Sequence, residues 1–101
     1  MKKKADSFRD FVGEQLGPEA SFRAMFGGHG IYRGDKIFGI VYKGRLYFTT
    51  GPLTRPDYVE RGMKPFKPNA RQTLKSYYEV PADVLENAET LRAWALKASS
   101  R

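Results

Sequence analysis

Residues 22–51 read FRAMFGGHGIYRGDKIFGIVYKGRLYFTTG, a series of short apolar runs separated by turns that contain glycine. The runs predict strands at residues 22–26, 31–33, 36–43 and 45–50, with turns between them. Such short connections cannot span a parallel crossover, so the strands must pair as antiparallel neighbours. The stretch therefore predicts an antiparallel β-meander.

A helix is predicted before the meander. Asp6 or Ser7 is placed to cap its first turn, and Gly17 with Pro18 ends it. Its apolar residues share one stripe at helical spacing: Phe8, Phe11, Val12 and Leu16. Residues 1–5, which include a run of lysines, are predicted to form a solvated, flexible tail.

Three further elements are predicted after the meander, and they complete the fold class. A short helix capped by Thr54 has Tyr58 and Val59 on its buried side and ends at Gly62. A loop over residues 63–71 leads to a strand over 72–80, with Leu74 and Tyr78 on one face. A helical turn at 82–86 precedes a last helix over 88–99, capped by Asn87. This order predicts a single two-layer α+β domain over residues 1–101, with helices flanking an antiparallel sheet.

The strand over residues 37–42 is apolar on both faces instead of alternating, which is typical of a strand covered on both sides. Helices would cover one face. The second face is covered either by loops and other aromatic residues of the chain, or by a second copy of it. In the second case an exposed apolar patch marks a homodimer interface, with Phe38, Ile40 and Tyr42 as its residues.

Composition limits the classes of protein to consider. The chain has 101 residues, 41% of them hydrophobic, and no cysteine, so disulfides and thiolate metal sites are excluded. No apolar run approaches the roughly 20 residues of a membrane span, and the lysines at the start precede no secretory apolar segment. We predict a cytoplasmic protein that does not bind membranes.

The sequence offers few groups for catalysis. His29 is the single histidine and lies among Gly27, Gly28 and Gly30, where a turn histidine is the expected role. These glycines lead from strand to strand and not into a helix, so a phosphate site with His29 is the weakest of the functional hypotheses. The acidic residues have no metal-binding spacing. We predict no catalytic, cofactor-binding or metal-binding residues, and therefore no enzyme.

The charge distribution suggests a second hypothesis, direct binding of nucleic acid. The formal net charge is +7, which favours acidic partners. Residues 61–78 contain five basic residues and no acid. With the aromatic Phe66 among them, the nucleic-acid-binding residues would be Arg61, Lys64, Phe66, Lys67, Arg71 and Lys75. The alternative is a solvated loop whose Phe66 packs into the core.

Four segments together resemble the N-terminal domain of the TfoX/Sxy family of bacterial competence regulators. They are RAMFGGHGIY, IFGIVYKGRLYF, RPDYVERGMKPF and SYYEVPADVLENAETLRAWALKA, which lie in this order between Arg23 and Ala98, and the resemblance covers nearly the whole chain. The resemblance implies an α+β domain related to YjbR-like and secretion-chaperone-like architectures. It also implies a role in regulating genes for natural transformation, without catalytic activity.

The sequence differs from full-length regulators of that family, which resemble this domain followed by a second, helical domain. We therefore expect a stand-alone, single-domain member. The leading hypothesis is a non-enzymatic regulatory or binding domain that acts through protein contacts, with an unidentified protein or a second copy as partner. Nucleic acid bound by residues 61–75 is the alternative.

Overall fold

The computed structural model describes residues 4–25 and 27–100, with side chains from Ser7 onward. The described residues form four helices and one sheet of six antiparallel strands. In chain order the elements are α1 (Lys4–Leu16), β1 (Ser21–Met25), β2 (Gly28–Arg33), β3 (Lys36–Tyr42), β4 (Arg45–Thr49), α2 (Arg55–Glu60), β5 (Pro65–Asn69), β6 (Gln72–Glu79), α3 (Ala82–Leu85) and α4 (Ala88–Ser99). The predicted α+β fold class with an antiparallel sheet is confirmed.

The sheet has the strand order β1-β2-β3-β4-β6-β5. Its first four strands form the predicted meander, and the hairpin between β3 and β4 turns at Lys43 and Gly44. Both residues have positive φ angles, 49° and 75°, as the two central residues of a type I′ turn require. This turn is preferred because its twist matches that of the flanking strands.

A bulge explains why β3 is apolar without alternating. Ile31 pairs with Gly39 while Tyr32 pairs with Ile37, so Phe38 is the extra residue on β3. The bulge directs Phe38 to the face that also buries Val41, whereas Ile40 lies in the cluster on the other face. Both faces of β3 are therefore covered within one chain.

The helices cover one face of the sheet and form the main core with it. Each helix contributes to this core, with buried residues such as Val12, Tyr58, Val84 and Leu91. Tyr58 is 2% exposed, and its ring lies 4.8 Å from that of Trp94. Burial raises the pKa of Tyr58 well above its usual range, because ionisation would place an unsolvated charge in the core.

The opposite face is covered by the β5–β6 hairpin of the same sheet. Phe66 of β5 is fully buried, and its ring lies 4.6 Å from Tyr47 and 5.3 Å from Tyr42. In a flat sheet β5 and β3 would be about 14 Å apart, three strand spacings. The contact between Phe66 and Tyr42 therefore shows that the sheet curls and brings β5 over β3.

Two predictions for this hairpin are wrong. Residues 63–71 were predicted as a loop, but Pro65–Asn69 forms β5, an edge strand where prolines are tolerated. Leu74 and Tyr78 were predicted to share a face, but they pack in different clusters. The Ser76 carbonyl between them accepts both the backbone N–H and the hydroxyl of Thr50, where the pairing of β6 is irregular.

The helices agree with the prediction except at particular positions. Asn87 caps α4 as predicted, accepting a hydrogen bond from the Thr90 N–H. Thr54 lies at the N-cap position of α2 but makes no capping hydrogen bond, and its hydroxyl accepts from the Gly51 N–H. Residue 4 already belongs to α1, so Asp6 and Ser7 are not its cap, and the predicted tail is helical at residues 4 and 5. Residues 1–3, the rest of that tail, lie outside the described residues. Phe11, predicted to be buried, is 38% exposed.

Candidate interaction surfaces

A groove of about 870 Å³ runs between α1 and the edge strand β1. We call it the α1–β1 groove, and the residues that define it are Arg9, Gly13, Phe22, Ala24, His29 and Arg92. Phe22 and Ala24 of β1 form its floor. Gly13 is the residue of α1 that faces Phe22, since a Cβ added to it would lie 3.5 Å from the Phe22 ring. Because glycine has no side chain, the groove stays open at this point.

His29 lies in β2 and not in a turn, so the predicted turn histidine is wrong. Its Nε2 atom is 3.2 Å from an Nη atom of Arg9. Since a guanidinium only donates, the unprotonated nitrogen of His29 accepts this hydrogen bond. His29 is half-buried and helps to form the end of the α1–β1 groove.

Packing and backbone conformation account for the glycines around His29. A Cβ on Gly28 would lie 2.3 Å from the Val41 carbonyl oxygen, and one on Gly30 would lie 2.8 Å from the Met25 sulfur. Gly27 has a φ of 82° in the connection to β2. Neighbouring atoms thus fill the space that a side chain would need at Gly28 and Gly30.

The residues predicted to bind nucleic acid separate into two groups. Phe66 is fully buried. Arg61 is exposed but ion-paired, with its guanidinium 3.0 Å from Asp83 and 5.2 Å from the Trp94 ring. The other four are exposed without an ion pair among the described residues and form what we call the basic hairpin surface: Lys64, Lys67, Arg71 and Lys75. Because Phe66 is buried, a base cannot stack on it. Of the predicted basic and aromatic residues, only the basic ones are available to a nucleic acid.

The residues predicted to form a homodimer interface are not open to solvent. Phe38 and Ile40 are each 1% exposed and belong to opposite clusters within the chain. Tyr42 is half-buried, packs on Phe66 and donates a hydrogen bond to the Pro68 carbonyl at 3.4 Å. Of the two predicted covers for this strand, the chain's own aromatic residues are the one observed.

An exposed apolar surface that the sequence did not indicate lies on α2 and the loop before it. Leu53 is 93% exposed and Val59 is 55% exposed. Pro52 borders a hollow with Leu53 and another with Pro56 and Val59, so the four residues adjoin one another. Arg55, Glu60 and Lys97 border the same hollows. We call Pro52, Leu53, Pro56 and Val59 the apolar ledge. The prediction that Val59 packs on the buried side of α2 is wrong, since Tyr58 alone fills that side.

Over residues 4–25 and 27–100, no described group of three or more histidine or acidic side chains is arranged to hold a metal ion. No helix described there has the length and apolar character needed to cross a bilayer.

Comparison with known proteins gives one family. The model of the TfoX N-terminal domain matches residues 14–101. The match spans β1 to β6 and α2 to α4, so it includes the floor of the α1–β1 groove, the apolar ledge and the basic hairpin surface. No curated protein matches the chain.

Proposed function

Because this chain belongs to the TfoX N-terminal domain family, we propose that it is a non-catalytic regulatory domain in the control of competence that acts through protein contacts. The observation that carries the protein-contact part is the apolar ledge. Adjacent apolar side chains that are exposed on one surface are a common feature of interaction sites. Leu53 and Val59 are the side chains we expect the partner to cover.

The test is a gene replacement in cells that carry the gene. Deletion should change the transcript levels of genes for DNA uptake, and the wild-type gene should restore them. The double substitution Leu53→Asp with Val59→Asp should fail to restore them, because a charge on the ledge opposes burial against a partner. Both side chains are more than half exposed, so the folded state should be nearly as stable as wild type.

Leu96→Asp is the matched control. Leu96 is also an exposed leucine, 56% accessible, but it lies on α4 away from the ledge, and this variant should restore transcript levels. Unchanged transcripts after deletion would refute the regulatory role. Full restoration by the double variant would leave the regulatory role standing and refute the ledge as its contact.

A second candidate function, binding of nucleic acid, is supported by the basic hairpin surface. Lys67 and Lys75 each follow a residue that packs inward, Phe66 and Leu74, and therefore point to the outside of the hairpin. Within the described residues, the basic side chains of this surface have no ion pair. A surface of this kind would track a phosphate backbone through charge alone.

For this function we expect Lys67→Glu with Lys75→Glu to weaken binding of DNA or RNA. The slope of log affinity against log salt should fall by about 2, since two phosphate contacts are lost. The measurement is fluorescence anisotropy with labelled oligonucleotides over a salt series. Lys36→Glu with Lys97→Glu makes the same change of net charge elsewhere and should bind more tightly than the hairpin variant. Equal binding by the two variants would rule out a hairpin site.

A further inference from the structure

The two edges of the sheet differ in how well they are protected against pairing with another strand. The sheet order places β1 at one edge and β5 at the other. β5 contains Pro65 and Pro68, which have no N–H to offer and are a common protection of edge strands. β1 has the sequence SFRAM, with no proline and one charged residue. In the described part of the chain, β1 is therefore the edge left open to pairing.

The register of β1 shows which backbone groups face outward. Met25 pairs with Gly28 across a two-residue connection, and residues flanking such a connection are hydrogen-bonded to each other. Because hydrogen-bonded positions alternate along an antiparallel pair, Arg23 and Ser21 also bond to β2. The N–H and C=O groups of Phe22 and Ala24 consequently point away from the sheet.

The same two residues form the floor of the α1–β1 groove. A strand that paired with β1 would bond to the backbone of Phe22 and Ala24. Its alternate side chains would then lie on the helical face of the sheet, beside α1. Backbone pairing and a groove for side chains are the two components of strand addition to a sheet edge.

The charges of the groove and of the whole chain indicate what kind of segment would pair with β1. The guanidinium of Arg9 has five N–H groups, of which one bonds to His29 and one donates to Asp10 at 3.3 Å in an ion pair. The others can bind a carboxylate bidentately. Arg92 adds a second positive charge to the groove, and the acids Asp10 and Glu14 balance the two arginines. The preference for an acidic segment therefore comes from the charge of the whole chain. The net charge of +7 attracts acidic partners and opposes pairing with a second copy.

We propose that β1 binds an extended acidic segment of a partner protein as an additional strand of the sheet, with a carboxylate of that segment held by Arg9. The inference rests on the proposed function in that the partner is a protein. It concerns a different surface from the apolar ledge, so a partner can contact both or either one.

The experiment selects random short peptides, displayed on phage, against the full chain and measures the affinity of the selected peptides for purified variants. We expect the selected peptides to alternate small or apolar residues with acidic ones. Ala24→Pro should lower their affinity at least about tenfold, because it removes an outward N–H and blocks the edge with a ring. Ala24→Val keeps the N–H and should retain most of the affinity.

Two further measurements separate loss of the edge from loss of the fold. Methylation of alternate backbone nitrogens of the peptide should abolish its binding to the wild-type chain. This measurement changes only the peptide, so the fold of the protein is not affected. Arg9→Ala should weaken binding of the acidic peptide, and should have no further effect once the peptide's acid is replaced by its amide.

Several outcomes would overturn the proposal. The first is that the selection yields no binding peptide, and the second is that the selected peptides contain no acidic residues. The third is that neither Ala24→Pro nor methylation of the peptide changes the affinity. A stable dimer that dissociates with Ala24→Pro, seen by light scattering after gel filtration, would assign the edge to a second copy instead. None of these outcomes bears on transcript levels in the deletion strain, so failure here is distinct from failure of the regulatory role.

Discussion

Replacing Phe66 with alanine is expected to lower the free energy of unfolding by about 3–5 kcal/mol, the usual cost of truncating a fully buried phenylalanine. The cost should lie at the upper end of this range, because Phe66 joins strands that are not neighbours. Its ring contacts Tyr42 on β3 and Tyr47 on β4, and Phe66 is the one fully buried residue that β5 contributes. Such a loss is a large fraction of the total stability of a small domain.

Urea unfolding followed by circular dichroism measures this change, and hydrogen exchange locates it. The amides of β6 and of β5 should exchange faster in Phe66→Ala than those of β2 and β3, since Phe66 holds the hairpin over the sheet. Phe11→Ala is the matched control, because Phe11 is 38% exposed, and its loss should cost clearly less. Equal losses in the two variants would show that the hairpin is held mainly by its pairing with β4.

Replacing Gly28 with alanine is expected to cost about 3 kcal/mol, the upper part of the range for overpacking. The added Cβ would lie 2.3 Å from the Val41 carbonyl oxygen and 3.4 Å from the Tyr42 Cα atom. These are backbone atoms of β3, so no change of rotamer relieves the contact, and the two strands would have to separate. Thermal and urea unfolding of the variant would measure the loss.

Gly30→Ala is the comparison that tests the reasoning. Its Cβ would meet only side chains, with the Met25 sulfur nearest at 2.8 Å, and a flexible methionine can move aside. We therefore expect a loss of about 1 kcal/mol, in the lower part of the same range. A larger loss for Gly30→Ala than for Gly28→Ala would contradict the account of both glycines. It would indicate that the backbone shifts more easily than the side chains around Met25.

The sequence predicted correctly those turns and helix ends that depend on a few neighbouring residues. The turn at Lys43 and Gly44, the cap at Asn87 and the glycine that ends α2 each depend on residues within a few positions of each other. The apolar residues of α4 recur at helical spacing, and Leu91, Ala95 and Ala98 lie on its buried side. The family resemblance, which the match over residues 14–101 confirms, rests on such short motifs in order.

Signals of the same kind failed where distant parts of the chain meet. Pro65 and Pro68 favoured a loop locally, but pairing with β6 and burial of Phe66 make this segment a strand. The apolar Val59 was predicted to be buried because nothing in the sequence shows that Tyr58 occupies the buried side of α2 alone. His29 follows two glycines and locally resembles a turn residue, but pairing with Ala24 and Val41 makes it part of β2.

The sequence by itself determined the α+β class, the antiparallel meander, most of the helices and the family, because turn chemistry, capping and apolar periodicity act over short distances. Only the tertiary structure decided which surfaces are available to a partner. Curling of the sheet buries Ile40 and Phe66 within one chain, and the bulge turns Phe38 to the helical side. The open edge at β1 and the exposed Leu53 are what remain, since exposure depends on how residues far apart in sequence cover one another.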